Sequence, residues 1–315
     1  MDEISKESGM KLLHVGLSAG HTVSGGLQKA FSALYECEEI GFNTPDINEV
    51  IRQKTGSFRP DMVWMQIQTP DIISPETVSY LKDKGIFVMN WMGDIRNEFP
   101  DWTAQLGASL TCFSNMNYVH VLKSRGIKSE YLQIGYDQSI YTPNGMKADS
   151  AEIVFFGNNY GNEFPLSELR WDMVNKLKSI YGRRFGVYGR GWESSDGDYM
   201  NDPKGEAAIY RGAKIAINLS HFDYSRCSSS RLYKILGCGT FCLTKRFPEM
   251  EDDFEEDIEL VAWDTMEDLI DEIEFWLANE GIRKAVAECG NEVALKKFTY
   301  EKMVENIHQL YLQYK

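Results

Sequence analysis

Short apolar runs recur from one end of this chain to the other, and most are apolar at nearly every position. In the first half they are KLLHVGL (11–17), MVWMQ (62–66), IFVMNW (86–91), LTCFS (110–114) and EYLQI (130–134). In the second half they are EIVFFG (152–157), RFGVYG (184–189), KIAINLS (214–220), TFCLT (240–244) and IELVAW (258–263). A strand with one wet face alternates apolar and polar residues, whereas a continuous run is buried on both faces, as in a parallel sheet covered by helices. Helical patterns fall between the runs. The clearest is MEDLIDEIEFWLAN, where Met266, Leu269, Ile270, Ile273, Trp276 and Leu277 share a face and Asp264 or Thr265 can cap the start.

This strand–helix alternation, met twice in 315 residues, predicts an α/β chain of two doubly wound, Rossmann-like domains. We expect a tail over 1–9, an N-terminal domain over 10–145 and a C-terminal domain over 146–298. A last helix over 299–315 is placed to pack back on the first domain. The seam is set in YDQSIYTPNGMKADSAE (136–152), where turn residues cluster. Residues 41–59 hold no convincing strand, so loop and helix are expected there. Ligands of open α/β sheets sit beyond the carboxyl ends of the strands, and two such domains are expected to turn those ends toward one cleft.

Composition removes several alternatives. A net charge of -14 disfavours broad attraction to nucleic acid. No apolar run approaches the roughly 20 residues of a membrane helix, and MDEISKESGM lacks the apolar core of a signal peptide. Six scattered cysteines form no Cys-x-x-Cys pair, so no zinc site is expected, and a reduced, cytoplasmic chain is the simplest reading. The acidic MEDDFEEDIE (250–259) lacks the spacing and glycine of a calcium loop and reads as a solvated run. His14, His120 and His308 are isolated and read as structural, whereas His21 and His221 each stand close after a strand.

The loops after strands carry the candidate chemistry. SAGHTVSGGLQKAF (18–31) is a glycine-rich turn into a helix, able to receive an anion or simply to turn the chain; its spacing is neither a dinucleotide fingerprint nor a P-loop. In MGDIRNEFPDW (92–102), Asp94 can orient or deprotonate a hydroxyl, or else cap a helix or pair with a cation. GNNYGNEFPLSELRW (157–171) is a second small-residue turn, with Arg170 further along its helix. YGRGWESSDGD (188–198) offers Trp192 as an exposed ring that flanks a base or covers a domain edge. In HFDYSRCSSSRLYKILGCG (221–239), a helix starting near Ser229 turns its positive end outward. Its serines and N–H groups can cap the helix or bind a pyrophosphate, with Arg231 or Arg226 adding a charged fork.

In order, these pieces resemble glycosyltransferases of the GT-B architecture, and among them the spore-maturation-protein-like group. The likeness runs through RPDMVWMQ, WMGDIR and VLKSRGIKSEYLQIGYDQSIYTP, then IVFFGNNYG, YGRGW, YRGAKIAINLS, SSSRLYKILGCGTFCLT and the closing helices from LVAWDT to MVENI. The resemblance implies a metal-independent hexosyl- or pentosyltransferase with no cofactor, using a nucleotide-sugar, most simply a UDP-sugar, as co-substrate. It implies that Asn158, Asn159 and Tyr160 line the donor loop and that Arg190 lies beside them. Ser229, Ser230 and Arg231 would cradle the diphosphate, and Gly25 and Gly26 would approach it. Where relatives carry a ribose-binding glutamate this chain has Lys234, which cannot accept a hydroxyl hydrogen bond; either it faces phosphate instead or the ribose finds another acceptor. A retaining reaction needs no separate base; an inverting one would use Asp94, or His21 as second choice. A sugar-nucleotide epimerase and a non-catalytic nucleotide-sugar-binding protein are the alternatives. The acceptor, whether protein, glycan, small molecule or modified DNA base, is not legible.

Overall fold

A computed structural model describes residues 9–16, 23–198 and 202–315. The chain divides into two compact units, Met1–Gly135 with Tyr300–Lys315, and Tyr136–Thr299.

Unit 1 runs β1 (Lys11–Gly16), α1 (Val23–Leu34), β2 (Glu36–Gly41), α2 (Ile47–Phe58), β3 (Met62–Met65), α3 (Pro75–Asp83), β4 (Phe87–Met92), α4 (Trp102–Gln105), β5 (Leu110–Phe113), α5 (Met116–Ser124) and β6 (Ser129–Tyr131). Its six strands form a parallel sheet in the order β2-β1-β3-β4-β5-β6. β3, β4 and β5 are buried throughout, as continuous apolar runs require. β2 was not expected from the sequence. ECEEIG has no apolar run because it lies at the sheet edge, where Glu36 and Glu38 pair with Lys11 and Lys54 in solvent.

Unit 2 runs β7 (Ile153–Phe156), α6 (Ser167–Tyr181), β8 (Phe185–Tyr188), α7 (Pro203–Gly212), β9 (Ile215–Asn218), α8 (Ser230–Gly237), β10 (Phe241–Lys245), β11 (Val261–Trp263), α9 (Met266–Ala278) and α10 (Glu280–Lys297). Five parallel strands take the order β11-β10-β9-β7-β8. The chain leaves β7 toward one edge and returns to β9 on its other side, so the switch in winding direction lies between β7 and β9. Thr265 caps α9 through a reciprocal pair with Asp268. Leu269, Ile273 and Trp276 then bury into the core with Phe155, Ile217 and Trp263.

A last helix, α11 (Tyr300–Tyr314), belongs to unit 1. Met303, Val304, Ile307 and Tyr311 pack on Leu12, Phe31, Trp64 and Met89, each large apolar side chain contributing about 1.5–3 kcal/mol. The unit boundary falls at Gly135/Tyr136 rather than near 145. The stretch after Tyr136 is tied into unit 2: the Tyr141 hydroxyl donates to Glu206, and Arg211 donates to the carbonyls of Ile140, Thr142 and Met146.

The acidic run is not simply a solvated loop. Asp253 receives a two-pronged contact from Arg226, and Glu256 one from Arg246. The Arg226 guanidinium is thereby withdrawn from any ligand role.

Candidate functional site

Open parallel sheets bind ligands where the winding direction switches, which in unit 2 is the carboxyl end of β7 and β9. The loop after β7 opens with Gly157. A Cβ there would fall 2.6 Å from an Arg170 nitrogen and 3.1 Å from an Arg231 nitrogen, so glycine alone lets both guanidinium groups approach the backbone.

Arg170 comes from the first turns of α6 and is 1% exposed. It donates to the carbonyls of Leu219 and Asn158, the latter at 3.0 Å. Arg231, the second residue of α8, donates to Asn218 Oδ1 and the Leu219 carbonyl, both at 3.2 Å. The two guanidinium carbons lie 5.0 and 5.2 Å from the centre of one ring, that of Phe155. Among the described residues neither cation has a carboxylate partner. Burial depresses the Arg170 pKa, with Arg231 adding to the effect, and burial likewise depresses that of Arg231. Guanidinium groups nonetheless stay charged in proteins. Two like charges, largely desolvated and without a carboxylate in contact, form a centre whose free energy an anion would lower.

The surroundings complete that centre. Ser229 stands at the N-cap of α8 but does not cap it. Its hydroxyl donates to Asn218 Oδ1 at 3.0 Å instead, which corrects the expectation of a serine-capped helix. Ser230 follows in the first turn. His221, just past β9, has its Nδ1 buried without a hydrogen-bond partner, and its ring packs on Phe164 and Tyr160. Burial first, then Arg170 and Arg231, push its pKa down to about 3, so the imidazole is neutral at ordinary pH.

The asparagines of the β7 loop shape it from within. Asn158 Oδ1 accepts from Arg190 N at 2.9 Å and its Nδ2 donates to the Tyr160 hydroxyl at 2.9 Å. Asn159 bridges Gly191 O and Gly161 N. Gly191, at φ +80°, lies so close to Asn159 that a Cβ would come within 2.3 Å of its carbonyl oxygen. Arg190 is exposed and paired with Asp198. Trp192 is not an exposed ring. It is 9% exposed, and its Nε1 donates to Gly157 O at 2.6 Å, fastening the loop that carries the arginines. It is therefore withdrawn as a base platform.

Lys234 is also corrected as a phosphate contact. Its Nζ lies 3.0 Å from Glu206 Oε2 and over the Tyr141 ring at 5.0 Å, so its charge is matched inside unit 2.

In unit 1, Gly25 and Gly26 lie in α1. A Cβ on Gly26 would come within 2.1 Å of the Tyr300 ring, so its smallness serves the contact with α11. His21 lies outside the described residues. Asp94 is exposed after β4; its N–H and that of Gly93 donate to Gln68 Oε1 at 2.9 Å, and its carboxylate lies 3.3 Å from Arg96. His14 is buried between Gln28 and Gln66, and His308 hydrogen bonds Tyr35, both structural. Among the described residues, no group of His, Cys, Asp and Glu is placed to hold a metal, and no helix is long and apolar enough to cross a membrane. All six cysteines are free.

A family model described as glycosyl transferase-like matches residues 170–309, a span that begins at Arg170. No curated protein matches the sequence. Solved structures resemble it over nearly its full length at low identity. A glycosyltransferase from Rickettsia africae aligns with TM-score 0.69 and 11% identity, covering 97% of this chain and 98% of that one. HepE of Anabaena, solved with UDP-glucose, gives 0.67 and 10%, covering 96% and 100%. Sucrose-phosphate synthase from Thermosynechococcus elongatus gives 0.65 and 11%, covering 96% and 98%. The likeness fixes the fold: two parallel-sheet, Rossmann-like domains as in GT-B glycosyltransferases.

Proposed function

We propose that this chain is a metal-independent glycosyltransferase, with unit 2 binding a nucleoside-diphosphate sugar through Arg170, Arg231, Ser230 and the N-terminus of α8. The observation that carries the reading is the arginine pair without a carboxylate partner, Arg170 buried and Arg231 half-buried, at the sheet's switch point. A diphosphate supplies the missing negative charge in a form that two planar forks can hold. In the reaction the bond from the anomeric carbon to the phosphate oxygen breaks and a bond to the acceptor oxygen forms. The electron pair leaves on the phosphate, where two fixed cations and the end of a helix stabilise it. That task is done without a resident metal.

The glycosyl transferase-like match supports the class, and the UDP-glucose in HepE supports a UDP-sugar as donor. We place the chain nearest the spore-maturation-protein-like group, in the cytoplasm. If the anomeric configuration is retained, the leaving phosphate takes the acceptor proton. If it is inverted, Asp94 is the base and His21 the second choice. His221, held neutral, serves as a hydrogen-bonding group rather than as a general acid. A putative UDP-N-acetylglucosamine 2-epimerase from Listeria monocytogenes shares the fold, with TM-score 0.58 and 12% identity, and favours epimerisation as the second reading.

Thermal shift and calorimetry with UDP and UDP-sugars test the proposal. The parent should bind, and Arg231→Ala should bind at least about tenfold more weakly, a loss of about 1.4 kcal/mol. Equal binding by both proteins would overturn the phosphate assignment. Formation of an isomeric sugar nucleotide with no acceptor present would favour the epimerase.

A further inference from the structure

A cavity of about 490 Å³ opens beside the first turns of α6, lined by Asn162, Phe164, Pro165, Ser167, Glu168 and Trp171. Its walls divide by chemistry. Phe164 packs on His221, Phe222 and Tyr160, and its N–H donates to Ser167 Oγ at 3.1 Å, so this side is fixed. Trp171 stands one helical turn from Ser167 and Glu168, on the same face of α6. It is 54% exposed, and Tyr160 beside the cavity is 48% exposed. Among the described residues the Asn162 amide, the Glu168 carboxylate and the Trp171 indole N–H have no partner.

We propose that this groove binds a neutral saccharide, one pyranose ring lying on Trp171 while its hydroxyls bond to Asn162 and Glu168. A pyranose presents a flat C–H face together with hydroxyls that both donate and accept. Those features match an indole face, a carboxylate that only accepts and an amide that does both. The lone ionised group in the lining is Glu168, which repels phosphate and so separates this groove from the arginine centre. The volume falls in the range of small-ligand sites. The inference stands apart from the donor reading. Only the extension that this saccharide is the acceptor, favouring a glycan over protein, metabolite or DNA base, rests on that reading.

The full chain is titrated by calorimetry and saturation-transfer NMR with neutral tetrasaccharides of β-1,4-glucose, α-1,4-glucose, β-1,4-N-acetylglucosamine and α-linked mannose. Uridine is the competing probe. At least one tetrasaccharide should bind. Trp171→Ala should weaken it about tenfold, Trp171→Phe should recover part of the loss, and Glu168→Gln should weaken it less. Far-UV dichroism and the melting temperature, which an exposed residue leaves in place, check that each variant is folded. Binding of none of the four, or equal binding by Trp171→Ala, overturns the proposal. So does a Trp171-dependent signal given by uridine and by no saccharide, which would make the groove a base seat. UDP binding that survives such a failure would leave the arginine centre standing, and loss of UDP binding would leave the groove untouched.

Discussion

Arg170 and Arg231 share the ring of Phe155 and lack a carboxylate partner, so their mutual repulsion is relieved when an anion binds. His221 reports on that field. The unfolded chain takes up a proton near the ordinary value of 6.5, while the folded protein keeps His221 neutral down to about 3. Stability tied to this group is therefore complete above pH 6.5 and is lost as pH falls from 6.5 toward 3. Melting temperatures of His221→Phe should fall less steeply than the parent's across that window. Bound UDP brings negative charge beside the two cations, so the His221 pKa should rise on binding, a shift visible in NMR titration of the imidazole. The placement of Arg231 and Ser229 at the start of α8 was legible because they stand where a strand run meets a helix pattern. The anchoring of Arg170 was not, since its hold on Asn158 and Leu219 exists only because β7 and β9 are neighbours. Lys234 and Glu206 meet through the same kind of long-range order, which no local spacing encodes.

At the scale of elements, the parallel strands announced themselves because burial on both faces leaves a continuous apolar run. β2 did not, because an edge strand answers to solvent as much as to the core. Trp192 was misread for a related reason: its loop composition is polar, yet one hydrogen bond to Gly157 draws the ring inward. Trp192→Phe should cost about 1 kcal/mol for that bond and weaken UDP binding by loosening the β7 loop, as denaturant unfolding and calorimetry would register. The α1–α11 contact yields a different result. Gly26→Ala forces a Cβ into the Tyr300 ring and should destabilise by about 1–3 kcal/mol while UDP affinity stays unchanged. Thr265→Ala removes half of the reciprocal cap on α9 and should cost about 1 kcal/mol.

At the scale of the whole molecule, unit 2 is one continuous segment and unit 1 is not. Tyr136 N donates to Phe298 O at 3.0 Å and Tyr136 bridges to Thr299, so the two ends of unit 2 run side by side. A fragment covering 136–299 should fold by itself and keep its UDP-induced thermal shift. A fragment covering 1–135 should aggregate, because the faces of Leu12, Phe31 and Trp64 lose the cover of α11. Solubility, dichroism and thermal melts of the two fragments would decide this.

The late arrival of α11 also sets an order in time. On the ribosome the strands of unit 1 emerge before unit 2, yet the helix that covers them is translated after unit 2, so the lobe begun first is finished second. The nascent chain must carry an open greasy sheet through the whole synthesis of the other lobe, and holdase chaperones would find their binding surface there.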